Sequence, residues 1–385
     1  MTRGVGFAAF FLLGWTIVLI PSLIRDVEGA FRMSDAGMGL AYFAYSGVYV
    51  GGAFAAGFLT GRVGRRRVLP AGPALVAVGA AICAASAAWP VFVLGFMILG
   101  LGAGIIDSGI NALFMDLFPT KRASALNRLH LWVAIGALAA PAAVGALSGL
   151  GLDWRIILLA TAAGATTVGV GLAGVEMPLG RKRDRPTTGA VRDAPAVGPR
   201  VLIPLAALAV AIGCYIATET GITSWLVRFI DSAPVEVATL ALSLFWGGLA
   251  LGRLVSGFVA DRLAPVRFAA GSAILCGASI VVAVAVPVLP VRLALFALAG
   301  LAAGPVYPLI MALGGSQYPD RTALVSSVLA SSAIVGSVVY PPLVGVVSDT
   351  AGLAVGIFVA GLLSVASAVA ITIAHRAGRA WVRAG

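Results

Sequence analysis

The chain has 385 residues, of which 60% are hydrophobic and only 11% are charged, and its formal net charge is +11. Soluble domains carry about 25% charged residues, so a water-soluble fold of this chain would leave large apolar patches exposed. The composition therefore excludes a soluble protein. It predicts an all-α integral membrane protein, because an open strand cannot satisfy its backbone polar groups in lipid.

Apolar runs separated by polar breaks predict twelve membrane-spanning helices, since a span needs roughly 20 apolar residues. The predicted spans lie near 5–24, 36–59, 68–86, 91–117, 123–147, 155–175, 202–229, 236–260, 268–286, 291–315, 323–347 and 352–374. The first run is too long for the apolar core of a secretion signal, and no A-x-A cleavage site follows it. We therefore expect it to be the first span.

Arginine and lysine are unevenly distributed over the predicted connections. Odd-numbered connections carry 5 of them, whereas even-numbered connections and the two tails carry 19. Short loops rich in Lys and Arg stay on the cytoplasmic side of a membrane. We therefore expect a multi-pass protein of the cytoplasmic (inner) membrane with both termini in the cytoplasm. This explanation of the positive charge leaves no reason to expect a nucleic-acid partner.

Two six-helix halves repeat one another at a constant offset of 200 residues. The residues that recur are Gly47, Gly52, Gly57, Phe58, Arg62, Gly100, Leu101, Ala103, Gly104, Pro119, Gly136, Pro141, Val144 and Gly145. We predict an N-terminal half over 1–176, a polar cytoplasmic linker over 177–200, and a C-terminal half with a short tail over 201–385. Because six spans is an even number, the halves share an orientation and are related by a pseudo-two-fold axis along the membrane normal. This architecture is typical of transporters that alternate access around a site between the halves.

The loop between spans 2 and 3 carries regularly spaced glycines and arginines, and it reads Gly57-Phe-Leu-Thr-Gly61-Arg62-Val-Gly64-Arg65-Arg66-Arg67. It resembles the signature loop of the major facilitator superfamily, G-x-x-x-D-R-x-G-R-R. Gly61 stands where that family has an aspartate, and the second half retains the acid as Asp261, followed by Arg262. The resemblance implies gating or ion-pair roles for Arg62, Asp261 and Arg262, with Asp261 serving alone as the cytoplasmic latch.

Spans 4, 5 and 7 are similar to those of the fucose and glucose proton-symporter branch of the same superfamily. Span 4 has an acid followed four residues later by an amide, Asp107 and Asn111. Span 5 has a glycine followed by a proline, Gly136 and Pro141, and span 7 begins its polar stretch at Glu219. The fucose carriers have a second acid in span 1, which this sequence lacks. The resemblance implies proton-coupled uptake of a sugar.

Asp107 is the first candidate for the proton site. A charge within a span costs at least about 2.5–3.5 kcal/mol and usually marks a pathway or relay. Gly100, Gly104, Asp107 and Asn111 share one helix face, where the glycines allow a neighbouring helix to approach closely. We expect Asp107 to carry the proton and Asn111 to contact substrate. The alternative is a structural ion pair with Arg128, which the predicted turn between spans 4 and 5 brings near Asn111.

Three further polar residues lie within predicted spans, and each has two interpretations. Glu219 is a proton carrier or ligand contact, or else a carboxylate that hydrogen-bonds neighbouring threonines. His130 joins a proton relay with Asp107, because histidine titrates near neutral pH, or else it donates to a backbone carbonyl. Arg253 forms a gate ion pair or contacts substrate.

Aromatic residues in the central parts of spans are the remaining candidates for substrate binding. Sugar sites use aromatic rings against the apolar face of the sugar and a few polar groups for its hydroxyls. The candidates are Tyr45, Trp132, Trp225, Trp246 and Tyr307. Helix packing or contact with lipid is the alternative for each of them.

Missing motifs narrow the mechanism. Lys121 and Lys182 do not follow the spacing of an ATP-binding loop. The sequence also lacks a zinc site of the usual spacing. It has two histidines, and its three cysteines, Cys83, Cys214 and Cys276, all lie within apolar runs. We therefore expect no cofactor, no metal and no enzymatic activity.

The sequence predicts a secondary transporter that acts as a monomer and imports a neutral small solute, such as a monosaccharide, with protons. Proton-coupled efflux of lipophilic drugs or metabolites is the first alternative. A membrane sensor or scaffold without transport activity is the second.

Overall fold

The computed structural model describes residues 2–175, 199–259, 262–318 and 321–382, and within those ranges it consists of 14 α-helices without any strand. The helices are α1 (Thr2–Ser22), α2 (Ile24–Phe31), α3 (Asp35–Val63), α4 (Arg65–Ala85), α5 (Trp89–Leu117), α6 (Arg122–Gly149), α7 (Trp154–Ala173), α8 (Pro199–Phe229), α9 (Val235–Val259), α10 (Pro265–Ala285), α11 (Leu289–Ala303), α12 (Val306–Gln317), α13 (Thr322–Ala351) and α14 (Leu353–Val382). Twelve helical segments are long and apolar enough to cross a membrane, with α11 and α12 together forming one of them. The predicted all-α, twelve-span fold is confirmed.

The connection between the first two spans contains a helix that the apolar pattern did not predict. This short helix, α2, ends at Phe31, and its C-cap residue Arg32 has a left-handed backbone with a φ of 53°. The N-cap residue of α3 is Ser34, whose hydroxyl accepts a hydrogen bond of 3.2 Å from the amide of Gly37. An N-cap of this kind satisfies one of the free amides at a helix start.

The tenth span is broken into two helices, which corrects the continuous span expected over 291–315. The break lies at Gly304 and Pro305, between α11 and α12. Proline lacks a backbone N–H and its ring clashes with the preceding turn, so it interrupts the hydrogen-bond ladder of a helix. In the first half, the residue equivalent to Pro305 is Ile105, and α5 continues through it without interruption.

The chain divides into two compact units, Met1–Arg183 with Ile230–Ser243 and Asp184–Phe229 with Leu244–Gly385. The segment Ile230–Ser243 belongs to the first unit because it packs there: the Ser243 hydroxyl donates to the carbonyl of Leu138 at 3.2 Å. Residues 177–198, which are most of the predicted linker, lie outside the described residues. The proposed domain bounds of 1–176, 177–200 and 201–385 stay a prediction.

Several of the glycines at repeated positions are points where helices touch. In the first unit, Gly100 and Gly104 of α5 lie directly against Tyr45 and Tyr49 of α3. In the second unit, Gly300 lies against the backbone of Phe245 in the same way. A methyl group at these positions would overlap the neighbouring backbone or ring. The repeat of the sequence therefore reflects the same close helix approach in both units.

We expect Gly104→Ala to destabilise the protein, because the added Cβ would overlap the carbonyl oxygen of Tyr49 and lie 2.9 Å from the amide nitrogen of Ala53. Overpacking of this kind costs about 1–3 kcal/mol and should lower the melting temperature on the order of 5 °C. The measurement is thermal unfolding of the purified protein in detergent. Gly57→Ala is the matched control, since a Cβ there has no neighbour within 4 Å. Equal melting temperatures for the two variants would contradict the expected clash.

We expect Asp26→Asn to stabilise the protein at neutral pH but not in acid. Burial and then repulsion by Asp153 raise the pKa of the Asp26 carboxyl above its ordinary value, and Arg25 offsets part of this rise. Because the pKa is higher in the folded state, ionised Asp26 destabilises the fold. This penalty is absent below the unfolded pKa, about 3.9, and develops as pH rises through the folded pKa.

The measurement is the difference in melting temperature between Asp26→Asn and wild type at about pH 4 and pH 7. The exposed Asp349→Asn substitution is the control. An equal difference at the two pH values would show that the effect of Asp26 is not one of ionisation.

Candidate functional site

The polar group of the first unit is centred on Asp107 of α5. Its half-buried carboxylate accepts one hydrogen bond from the hydroxyl of Tyr49 and another from the amide nitrogen of Asn111, each of 2.9 Å. Asn111 lies one turn further along the same helix, whereas Tyr49 comes from α3. The contact depends on Gly104, because only a residue without a side chain lets the backbone of Tyr49 lie so close to α5.

Two buried polar atoms beside Asp107 have unused hydrogen-bonding capacity. The hydroxyl of Tyr45 and the side-chain oxygen of Asn111 have no hydrogen-bond partner among the residues that the structure describes. The Tyr45 ring is held in place by stacking on Phe96, with centroids 4.5 Å apart. Since buried polar groups are nearly always hydrogen-bonded in native proteins, each of these two atoms is a candidate contact for a ligand hydroxyl.

Arg128 is not the partner of Asp107, so the alternative of a structural ion pair between them is wrong. Arg128 lies instead with Arg3 and Lys121 around a separate cavity. The reason is that α6 packs against α1, where Gly136 touches the backbone of Phe11. Within the described part of the chain, the carboxylate of Asp107 therefore contacts only neutral donors.

His130 and Trp132 of α6 also face α1 rather than Asp107. The exposed His130 ring packs edge-on against Phe10 with a centroid distance of 5.5 Å. Trp132 stacks on Phe7 at 5.8 Å. The hydrogen bonds to Asp107 come from Tyr49 and Asn111, and a proton relay that includes His130 stays a prediction.

The polar group of the second unit brings together Glu219 and Arg253, which the sequence indicated only as separate candidates. The carboxylate of Glu219 in α8 accepts a hydrogen bond from the buried hydroxyl of Tyr215 and lies 3.8 Å from the guanidinium of Arg253 in α9. The alternative in which Glu219 binds neighbouring threonines is wrong. Thr218 donates instead to the carbonyl of Ala360 at 2.8 Å, and the hydroxyl of Thr220 donates to its own helix.

The aromatic candidates of the second unit differ in their surroundings. Trp225 is fully buried, and its indole N–H donates to the carbonyl of Pro341 at 3.0 Å, which fastens α8 to α13. This position favours packing over substrate contact. Trp246 is also buried, but its indole nitrogen has no hydrogen-bond partner within the described ranges. Tyr307 is half-buried and follows the break between α11 and α12.

The basic loop between α3 and α4 contains an ion pair that the sequence did not indicate. Arg65 pairs with Asp116 near the end of α5. The only signal for this ion pair in the sequence was the position of Asp116, an acid close to the end of a span that precedes a second basic loop. Arg62 is exposed and lies over the ring of Phe58 at 4.0 Å. Arg262 is exposed, and Asp261 lies outside the described residues.

Comparisons with known proteins bear on the family and the fold of this chain. The family model described as Major Facilitator Superfamily matches residues 5–233 and again 202–383. A gentisate transporter of Corynebacterium glutamicum is 26% identical to this chain, covering 87% of it and 80% of the relative. A glucose/galactose transporter of Brucella abortus is 24% identical, covering 89% and 87%. A crystal structure of the Escherichia coli fucose:proton symporter has a TM-score of 0.64 at 19% identity and covers 97% of this chain and 98% of its own. The resemblance inferred from the sequence motifs is confirmed.

We expect Glu219 and Arg253 to be energetically coupled, because their side chains are only 12% and 31% exposed. Glu219→Gln alone leaves a largely buried cation without its partner, whereas the double substitution with Arg253→Gln removes both charges. A double-mutant cycle by thermal unfolding should give a coupling of about 1 kcal/mol or more.

The matched control for this cycle is the pair Arg155 and Asp153. Its closest atoms are also 3.8 Å apart, but the side chains are 37% and 54% exposed. Exposed pairs of this kind contribute little, so we expect a coupling of about 0–0.5 kcal/mol. Equal couplings for the two pairs would show that burial does not strengthen the interaction of Glu219 with Arg253.

Proposed function

Because the chain belongs to the major facilitator superfamily, a family of small-solute transporters rather than enzymes, we propose that it imports a neutral hydroxylated solute, such as a monosaccharide, together with protons. The uneven distribution of arginine supports a location in the cytoplasmic membrane with both termini in the cytoplasm. The proposal describes a monomer that needs no cofactor.

The observation that carries the proposal is the environment of Asp107. Its carboxylate lies within a span and is bound by Tyr49 and Asn111, which are both neutral. An ionised carboxylate without a cation is disfavoured in low dielectric, and protonation removes that penalty. We propose that Asp107 binds the coupled proton and releases it on the other side of the membrane.

The neighbouring groups support a hydroxylated substrate. A sugar carries several hydroxyls, each of which is both a donor and an acceptor, and such groups would satisfy the Asn111 side-chain oxygen and the Tyr45 hydroxyl. Protonated Asp107 gains an O–H donor of its own, so proton and substrate would stabilise each other at this group. The names of the relatives, a glucose/galactose transporter and a fucose:proton symporter, agree with this substrate class.

The second unit contributes a charged group and an unused donor to the proposal. We propose that Glu219 and Arg253 contact substrate or hold the second unit in one state, with Trp246 as a further donor and Tyr307 as a further aromatic contact. Trp225 is not among the proposed substrate contacts, because its indole N–H is already bonded within the helix packing. Roles of Arg62, Asp261 and Arg262 in gating stay predictions from the family resemblance.

The test is uptake of labelled monosaccharides into proteoliposomes, with and without an inward proton gradient. We expect wild type to accumulate one sugar against its concentration gradient. Asp107→Asn should lose this accumulation while retaining sugar exchange across the membrane, because the amide keeps the shape of the site but cannot release a proton. Asp349→Asn, which changes an exposed carboxylate, should behave like wild type.

Two outcomes would contradict the proposal. If Asp107→Asn accumulated sugar as well as wild type, Asp107 would not be the proton site. If correctly inserted wild type took up no sugar, the monosaccharide assignment would be wrong. The panel should then extend to an aromatic acid, given the gentisate-transporter relative, and to the efflux of lipophilic cations, which is the alternative function.

A further inference from the structure

The first unit contains a cavity of about 440 Å³ whose lining is both cationic and aromatic. The lining residues come from α1, α5 and α6 and from the loop before α6: Arg3, Phe7, Phe114, Phe118, Lys121, Ala125 and Arg128. The volume lies within the roughly 300–1,000 Å³ of small-molecule sites. Neither the proton site at Asp107 nor the proposed sugar contacts account for this cavity.

Among the residues that the structure describes, no acid neutralises the positive charge at this cavity. Arg3, Lys121 and Arg128 form no salt bridge there, and the described lining contains no acid. Asp116, which lies two residues before Phe118, is already paired with Arg65. Three cations that line one cavity, without a counter-charge in the described part of the chain, favour an anionic ligand.

The phenylalanine rings that line the cavity pack closely on one another. Phe114 is buried, and its ring packs on Phe7 at 5.4 Å and on Phe118 at 5.8 Å. Gly6 of α1 makes room for it, since a Cβ at that position would overlap the Phe114 ring. The guanidinium of Arg3 lies over the Phe118 ring at 4.7 Å. The charged and apolar surfaces of the cavity are therefore adjacent, as a ligand with one anionic group and one apolar body requires.

We propose that this cavity binds an organic carboxylate. Its anionic group would meet Arg3, Lys121 and Arg128, and its apolar or aromatic body would lie against Phe7, Phe114 and Phe118. A neutral sugar has no charge for the cations, and inorganic phosphate has no apolar body for the phenylalanines. This site goes beyond the proposed function and does not depend on it. An anionic lipid shares the same chemistry, so the experiment separates a free acid from a lipid.

The new site is distinct from the proton site but lies on the same face of α5. Asp107, Asn111, Phe114 and Phe118 follow one another at helical spacing, and Phe114 lies about 10 Å along the axis from Asp107. An anion in the cavity is thus too far from Asp107 to share its hydrogen bonds. The two sites can be tested separately.

The test measures binding of benzoate to the full-length protein in nanodiscs of neutral phosphatidylcholine, by titration calorimetry and without sugar or a proton gradient. We expect binding that weakens about tenfold or more in Arg128→Gln, because a charged hydrogen bond is lost. Lys121→Gln at the exposed start of α6 should act in the same direction and serves if Arg128→Gln does not fold. Arg66→Gln, which removes an equal charge from an exposed arginine outside the cavity, should leave binding unchanged.

A fluorescence measurement locates the ligand. Trp132 stacks on Phe7, which lines the cavity, so benzoate should change its emission. Trp132→Phe should abolish this change while calorimetric binding persists. An emission change that is the same in Trp132→Phe would place benzoate elsewhere and overturn the proposal.

Two further titrations define the ligand class and its source. Benzyl alcohol, which keeps the ring but lacks the charge, should bind at least about tenfold more weakly than benzoate. Replacing part of the lipid with phosphatidylglycerol should weaken benzoate binding if an anionic lipid is the natural ligand. It should leave benzoate binding unchanged if a free acid is the natural ligand. Either result supports an organic-anion site. Benzoate binding that is absent in neutral nanodiscs, unaffected by Arg128→Gln and Lys121→Gln, or matched by benzyl alcohol would overturn it. None of these results depends on sugar transport.

Discussion

The close approach of α3 to α5 is the constraint on which the candidate proton site depends. Gly104 allows the backbone of Tyr49 to lie against α5, and only then can the Tyr49 hydroxyl reach the carboxylate of Asp107. The buried carboxylate receives two neutral hydrogen bonds in this way and needs no cation from the protein. A larger residue at position 104 would separate the helices and leave Asp107 with Asn111 alone.

The repeat explains the scaffold, whereas the chemistry differs between the units. The glycines that allow close helix approach recur at an offset of 200 residues, but the acids do not: Tyr307 is equivalent to Asp107, and Leu19 to Glu219. Asp107 is bound by neutral donors, and Glu219 lies beside the cation Arg253. The two acids therefore lie in different surroundings, one with neutral donors alone and the other beside a cation.

The placement of α6 against α1 determines where the remaining positive charge lies. Because α6 turns its polar residues away from Asp107, Arg128 joins Arg3 and Lys121 at the cavity instead of neutralising the acid. The same packing therefore places Arg128 at a cationic cavity about two helical turns from Asp107, and the described residues supply no counter-charge there. The proposed proton site at Asp107 and the proposed anion site both depend on the packing of α6 against α1.

The membrane class, the twelve spans, the internal repeat and the family can be predicted from the amino-acid sequence, because each depends on local hydropathy or on residues at fixed spacing. The same holds for Asp107, Asn111, Glu219 and Arg253 as candidate residues, since charge within a span is costly. Which of these groups meet depends on how the helices pack. The rotation of each helix about its axis and its choice of neighbour placed Tyr49 on Asp107 and Arg253 on Glu219, and took Arg128 away; hydropathy carries no information about either.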